Sequence, residues 1–405
     1  RLSYMTIPQS CEELGSSAFA GCIAIKKVAV PDNVAKINQE TFKDCTALKT
    51  VSLGRGIKTI GSSAFENCTA ISEINMPEAL ESISSKAFYN SMISGTKFTL
   101  PATLKSVGND AFYNCYADVT INCEIGANMF AGAYFSKATI AEGITSIGVR
   151  AFASSYINNL VLPSSLRRIE KEAFYYCKNA SFNKLPALEY IGDSAFANSS
   201  LSEVNITQEG AYIGSGAFAG CTALKSVILP KGITRIYSST FSGCSSLTSI
   251  DIPEGVTHVE SEAFSECSSL TEIRFNAIAM NDLSSGNFVF SYAGQSGEGI
   301  TVTFGAQVTK VPAYLFYPSS NTNNVTQVVF EEGSVCNTIG AYAFAYSESL
   351  MEICLPDGIK TIDNYAFYRC TNLDSVALPD GVESIGPYAF AYSGLVSVEI
   401  PDGIT

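Results

Sequence analysis

The sequence has no tryptophan, one histidine and little charge, with Asp, Glu, Lys and Arg making up 16% of it. A lone His258 excludes a multi-histidine metal centre, which needs several ligands converging. It also excludes a confident Ser–His or Cys–His pair, because no residue in the sequence is placed to face it. His258 falls between Val256 and Val259, in a phase that reads as a solvated strand side chain. Bases are outnumbered 25 to 38, for a net charge of −13. Nucleic acid and anionic membrane surfaces both demand a basic footprint, so neither is expected as a partner. No apolar run approaches the ~18 residues of a spanning helix. The glycines are scattered as punctuation and form no phosphate loop. No cofactor is expected, and with no acid, base and nucleophile converging the chain reads as a non-enzyme.

What the sequence does contain is one stretch repeated. Its clearest copy is Ile60-Gly61-Ser62-Ser63-Ala64-Phe65-Glu66-Asn67-Cys68. The phenylalanine recurs at Phe19, Phe42, Phe65, Phe88, Phe112, Phe130, Phe152, Phe174, Phe196, Phe218, Phe241, Phe264, Phe288, Phe316, Phe344, Phe367 and Phe390, mostly 22 to 24 residues apart. A fixed period in this range marks a solenoid, in which each unit buries its apolar face only against its neighbours. The other half of the unit, as in Leu224-Lys225-Ser226-Val227-Ile228-Leu229-Pro230, alternates like a strand. A Pro-x-Gly turn follows at 230–232, 253–255, 356–358, 379–381 and 401–403, with Pro read as the first corner and Gly as the positive-φ residue. A second short strand leads to the Ala-Phe dipeptide. Ala before Phe and Cys three after it are four apart, which predicts a short helical turn, with Ser62, Ser215, Ser238 and Ser261 as N-caps.

Nine cysteines occupy the place three after the Phe: Cys22, Cys45, Cys68, Cys115, Cys177, Cys221, Cys244, Cys267 and Cys370. One thiol per coil is not the clustered spacing of a metal site, so these read as buried fillers and no metal is expected. Cys11, Cys123, Cys336 and Cys354 lie off this column and are read as more exposed.

The unit Leu-x-x-Ile-x-Ile-Pro, Gly-Ile/Val-x-x-Ile-Gly-x-x-Ala-Phe-x-x-Cys resembles the BspA-like, Treponema-pallidum-type leucine-rich repeats over essentially the whole chain. The resemblance implies an α/β repeat solenoid: a right-handed curved leucine-rich-repeat superhelix with short parallel strands and short helical turns. About seventeen coils are expected, one per Phe. It also implies a cell-surface or secreted protein, some relatives binding host matrix proteins. We read residues 1–405 as a single solenoid with irregular coils at 116–140 and 276–338. It opens and stops inside a repeat, as a fragment of a longer protein would. The expected role is a non-enzymatic, monomeric binding module for a protein or glycoprotein, with a host matrix protein or glycan as candidate ligand. The alternative is a passive stalk that presents another domain.

Two surfaces are candidates. Outward positions of the first strand, Glu73 and Asn75, Glu203 and Asn205, Asp251, Glu272 and Arg274, would stack into a polar band. Two residues before each Phe the chain is polar or glycine, from Ser17 to Gly286. In the last four units that place becomes Tyr314, Tyr342, Tyr365 and Tyr388. Four tyrosines in register form an exposed aromatic stripe about 15 Å long at strand spacing; it reads either as a binding surface, tyrosine being enriched at hot spots, or as a self-stacking ladder that only shields the C-terminal coils.

Overall fold

The computed structural model describes residues 5–178, 181–182, 185–320 and 323–404. The strands pair in parallel, and no helix occurs among the described residues. The chain is a parallel-strand β-solenoid of about fifteen turns. The expected seventeen coils counted phenylalanines. Phe19 precedes the first strand, Lys27–Ala29, and Phe390 follows the last, Ser384–Ile385, so neither marks a completed turn.

The predicted helical turn is replaced by a different device. In the copy around Phe65, Ser63 and Asn67 both have positive φ, 54° and 60°. The N–H groups of Ala64, Glu66 and Cys68 bond three residues back, to Gly61, Ser63 and Phe65. Those of Ser63, Phe65 and Asn67 point along the stack and donate to Ser85, Ala87 and Tyr89 of the next coil, at 2.8–3.0 Å. An α-helix would bond its N–H groups to carbonyls four residues back in the same segment. Here alternate ones are satisfied only by a neighbour. The serines read as N-caps therefore cap nothing; Ser62 and Ser238 instead offer their carbonyls to Glu40 and Gly216 of the preceding coil.

Contacts divide the chain into two compact units, one running to Tyr190 with Asn198–Ser200, the other Ile191–Ala197 with everything from Leu201 onward. In the first unit Lys27–Ala29, Thr50–Ser52 and Glu73–Ile74 pair in register, burying Val28, Val51 and Ile74. Lys36–Ile37, Thr59–Ile60, Ser82–Ile83 and Ser106–Val107 form a second ladder. Phe rings stack between them, with Phe65 and Phe88 at 5.3 Å and nearly parallel. Each such ring contributes about 1.5–3 kcal/mol of apolar burial. Gly61 is required by proximity: a Cβ there would stand 2.7 Å from the backbone of Asn38. The irregular coil after residue 116 carries the long strands Ala117–Ile121 and Tyr134–Ile140, with a register shift between Phe135 and Lys137. Phe112 and Phe130 tilt to 38° at 6.4 Å there, and Phe135 packs beside both.

In the second unit Ser249–Ile252, Glu272–Phe275, Ile300–Phe304 and Val325–Phe330 make a four-stranded sheet. The Phe column runs through Phe264, Phe290 and Phe316 at 5.2–5.3 Å, so Phe290 and not Phe288 is the core ring. Phe288 takes the place two before it, half-exposed and at φ 46°. The added residues between Phe264 and Phe290 shift the phase by two, which spacing alone did not reveal. The Pro-x-Gly turns also differ from expectation. The Pro carbonyl accepts from the residue three on, as Val256 to Pro253 at 3.1 Å, so Pro opens the turn. Among the five glycines only Gly232 has positive φ.

All thirteen cysteines are free. Column thiols donate to the Phe carbonyl of the preceding coil: Cys68 to Phe42 at 3.0 Å, Cys244 to Phe218 and Cys370 to Phe344 at 3.2 Å. Off the column, Cys354 is exposed and Cys11 half-exposed, whereas Cys123 and Cys336 are buried, against expectation, because their side chains fall on inward phases of irregular coils. Burial pushes Cys115, Cys177, Cys267 and Cys370 up to about 12. His258 is half-buried and pinned by Asn281 and Thr257, each at 2.9 Å, rather than simply solvated.

Two outcomes are expected. Native alkylation should mark Cys354 and, more slowly, Cys11 and Cys22; denaturation without reductant should release all thirteen thiols. Mass spectrometry finding fewer than thirteen would reveal bridges. Phe65→Ala should cost about 3–5 kcal/mol in denaturant unfolding, because the ring is fully buried between Phe42 and Phe88; a loss below ~1 kcal/mol would contradict the spine.

Candidate functional site

The polar band is largely consumed by bonds between coils. Glu73 accepts from the Thr50 hydroxyl, and Asn75 clamps the backbone of Leu53, accepting from its N–H at 2.7 Å and donating to its carbonyl at 2.9 Å. Both lie in the first unit. In the second, Asp251 accepts from Asn276 at 2.7 Å and Arg274 pairs with Glu331 at 2.6 Å. These last four residues edge a shallow hollow of about 330 Å³. Glu203 and Glu272 are exposed on their strands, and Asn205 is half-buried, beside Ile228 in the next strand. The band residues are thus not gathered into one site.

The tyrosines are. Tyr314, Tyr342, Tyr365 and Tyr388 stack face to face at 4.8, 4.6 and 4.8 Å, within 12° of parallel. All four sit at positive φ near 57–59°, a region that suits glycine and asparagine and is strained for a bulky side chain. Their backbones are held there by the same inter-coil bonds, Tyr342 to Asn364 and Tyr365 to Pro387. The stack uses most of the ring faces. Tyr314, Tyr342 and Tyr365 are therefore half-buried, against the expected open stripe, and only Tyr388, at 59% exposure, faces water broadly.

A second row was missed by the sequence reading. Tyr317 and Tyr368 follow their Phe by one, Tyr346 and Tyr392 by two. Tyr317 stands edge-on to Tyr314, Tyr342 and Tyr346, and Tyr368 edge-on to Tyr346, Tyr365 and Tyr392, at 5.3–6.0 Å. Arg369 lies among them, its guanidinium carbon 5.5–6.0 Å from the rings of Tyr346, Tyr368 and Tyr392. A usable signal was present: eight of the twenty tyrosines fall after residue 310. Tyr346, Arg369 and Tyr392 are again left-handed, at φ 58–63°. The same column in the first unit holds Asp44, Asn67, Asn90 and Asn114, joined by side-chain hydrogen bonds of 2.7–3.0 Å.

This patch presents ring edges, phenol hydroxyls and one cation. Such groups offer contact area and hydrogen bonds. Burial pushes the Tyr342 and Tyr346 phenols up, with Tyr365 and Tyr314 adding to the first and Tyr317 to the second. A raised phenol leaves stability intact below the ordinary tyrosine value of about 10 and loses it as pH climbs toward the folded value, since the unfolded chain ionises first. Tyr342→Phe with Tyr346→Phe should therefore shrink the alkaline loss of stability, read as denaturation midpoints at neutral and alkaline pH. An equal alkaline loss in parent and variant would contradict it.

The family model described as BspA type leucine rich repeat region (6 copies) matches residues 1–118, 123–208, 189–323 and 290–405. Among curated proteins none matches. Among solved structures, a leucine-rich repeat protein from Bacteroides ovatus ATCC 8483 is similar at 21% identity, over 96% of this chain and 85% of that one, with a TM-score of 0.44. A leucine rich cell surface protein from Faecalibacterium prausnitzii A2-165 is similar at 22% identity, over 81% and 79%, with a TM-score of 0.31. The pneumococcal vaccine antigen PcpA is similar at 18% identity, over 82% and 79%, with a TM-score of 0.36.

Proposed function

We propose, from the premise that the chain belongs to the BspA-type leucine-rich repeat family, that it is a non-enzymatic recognition module of a cell-surface or secreted protein. Its partner is a protein or glycoprotein of adhesion type. Leucine-rich repeat proteins typically mediate protein interactions. The surface setting is the one the family resemblance implies.

The observation that carries the reading is the second-unit tyrosine patch. Eight tyrosines and an arginine share one stretch of the stack, six of the tyrosines and the arginine at or beyond strained left-handed positions. Strain held at a surface is a reason to look for a task there. Tyrosine supplies large contact area at low entropy cost. The polar band takes a smaller part, since Asp251, Arg274 and Asn75 are already engaged.

The stalk reading draws on a specific feature too: rings that stack on one another shield the coils beneath. Tyr388→Ser with Tyr392→Ser separates the two, because these rings are 59% and 67% exposed. Purified matrix glycoproteins immobilised on a sensor are the probe. A binding module should lose capture at least tenfold with the denaturation midpoint little changed. Unchanged capture with a clear loss of stability would leave the patch structural and favour the stalk.

A further inference from the structure

Five of the seven arginines among the described residues are neutralised. Arg150, Arg167, Arg168, Arg235 and Arg274 each meet a glutamate. Arg369 meets none among the described residues, and neither does Arg55, over which no ring stands. Instead Arg369 sits among Tyr346, Tyr368 and Tyr392, with Nε–H donating weakly to the Tyr368 hydroxyl at 3.4 Å. It is exposed, and its backbone is left-handed at φ 58°. In other coils this place holds glycine, as at Gly220 and Gly243, or asparagine, which the conformation favours. In a protein with 38 acids and a charge of −13, Arg369 is thus, among the described residues, a guanidinium without a carboxylate that phenols frame.

We infer that Arg369 and its three tyrosines form a binding site for the carboxylate of an acidic sugar on a glycan. The proposal deepens the recognition reading above and rests on it. The guanidinium fork matches a carboxylate with two parallel hydrogen bonds. The phenol hydroxyls around it donate to and accept from sugar hydroxyls, and exposed ring surface of Tyr392 packs against the sugar's C–H face. The acidic field of the whole chain repels a ligand carrying many negative charges. One cation therefore suits one carboxylate on an otherwise neutral polar scaffold, which describes an acidic sugar better than an acidic polypeptide.

The test uses the full chain in calorimetric titration at low salt. Probes are a sialylated trisaccharide, a glucuronate-containing disaccharide, the neutral counterpart of each, and an end-blocked tripeptide carrying one glutamate. At least one acidic sugar should bind ten or more times tighter than its neutral counterpart, and the one that does identifies the source. Arg369→Gln should erase that margin without moving the denaturation midpoint. Arg369→Lys should keep part of it, since a point charge remains without the fork. Added salt should weaken the acidic sugar alone. Equal binding of acidic and neutral sugars, full binding by Arg369→Gln, or a tripeptide that binds as tightly as the sugars would each overturn the assignment. If no acidic sugar binds while Tyr388→Ser with Tyr392→Ser still abolishes glycoprotein capture, this inference falls and the recognition reading stands. If acidic sugars bind through Arg369 while that double variant captures normally, the sugar site stands and protein capture lies elsewhere.

Discussion

The structure depends on backbone hydrogen bonds that leave the phenylalanine turn along the stack. In regular coils such as that of Phe65, three N–H groups have no acceptor within their own turn and find one only in the next, as Ser63, Phe65 and Asn67 do. Two left-handed residues per turn aim them there. A buried unpaired N–H costs about as much as a lost hydrogen bond, so a lone coil has neither a core nor a satisfied backbone. The Phe rings, 5.2–5.6 Å apart through the regular stretches, fill the space that this ladder sets.

The same ladder governs the surface. Because the places two before and two after the Phe are fixed outward and in register, whatever side chains stand there become columns. Asp44, Asn67, Asn90 and Asn114 turn one such column into a chain of amides that bond mainly to one another. Tyr346, Arg369 and Tyr392 turn it into rings around a cation. One scaffold position thus gives a closed surface in the first unit and an open one in the second.

Much of this was legible in the sequence. The Phe period, the strand alternation and the interior cysteines follow from spacing and polarity, and Val51 and Cys68 lie where those rules put them. The helical turn was misread because Ala64 and Cys68 share a face at four-residue spacing in either conformation. Only the residues between them, Asn67 above all, hint at the left-handed backbone. Phe288 reads as the core ring in place of Phe290 because inserted residues hide a two-residue change of phase. The tyrosine stripe was half seen: a column is readable from period, but edge-on partners such as Tyr317 and Tyr368 come from rows whose proximity depends on how the turn is wound.

The choice between cysteine and serine three after the Phe has a mechanical meaning. A Cys thiol reaches back to the preceding coil, as Cys68 does to Phe42. Ser91 and Ser155 are too short for that and close on the Phe carbonyl of their own turn, while the buried Ser347 hydroxyl finds no partner. At Ser91 and Ser155 the backward link to the preceding Phe carbonyl is thus exchanged for a bond within the turn, while each hydroxyl also meets the thiol of the next coil, Ser155 at 3.2 Å from Cys177. Along a one-dimensional stack, where stability is a sum over neighbours, the choice of residue decides whether a coil is tied by this side chain to the coil before it or to the coil after it.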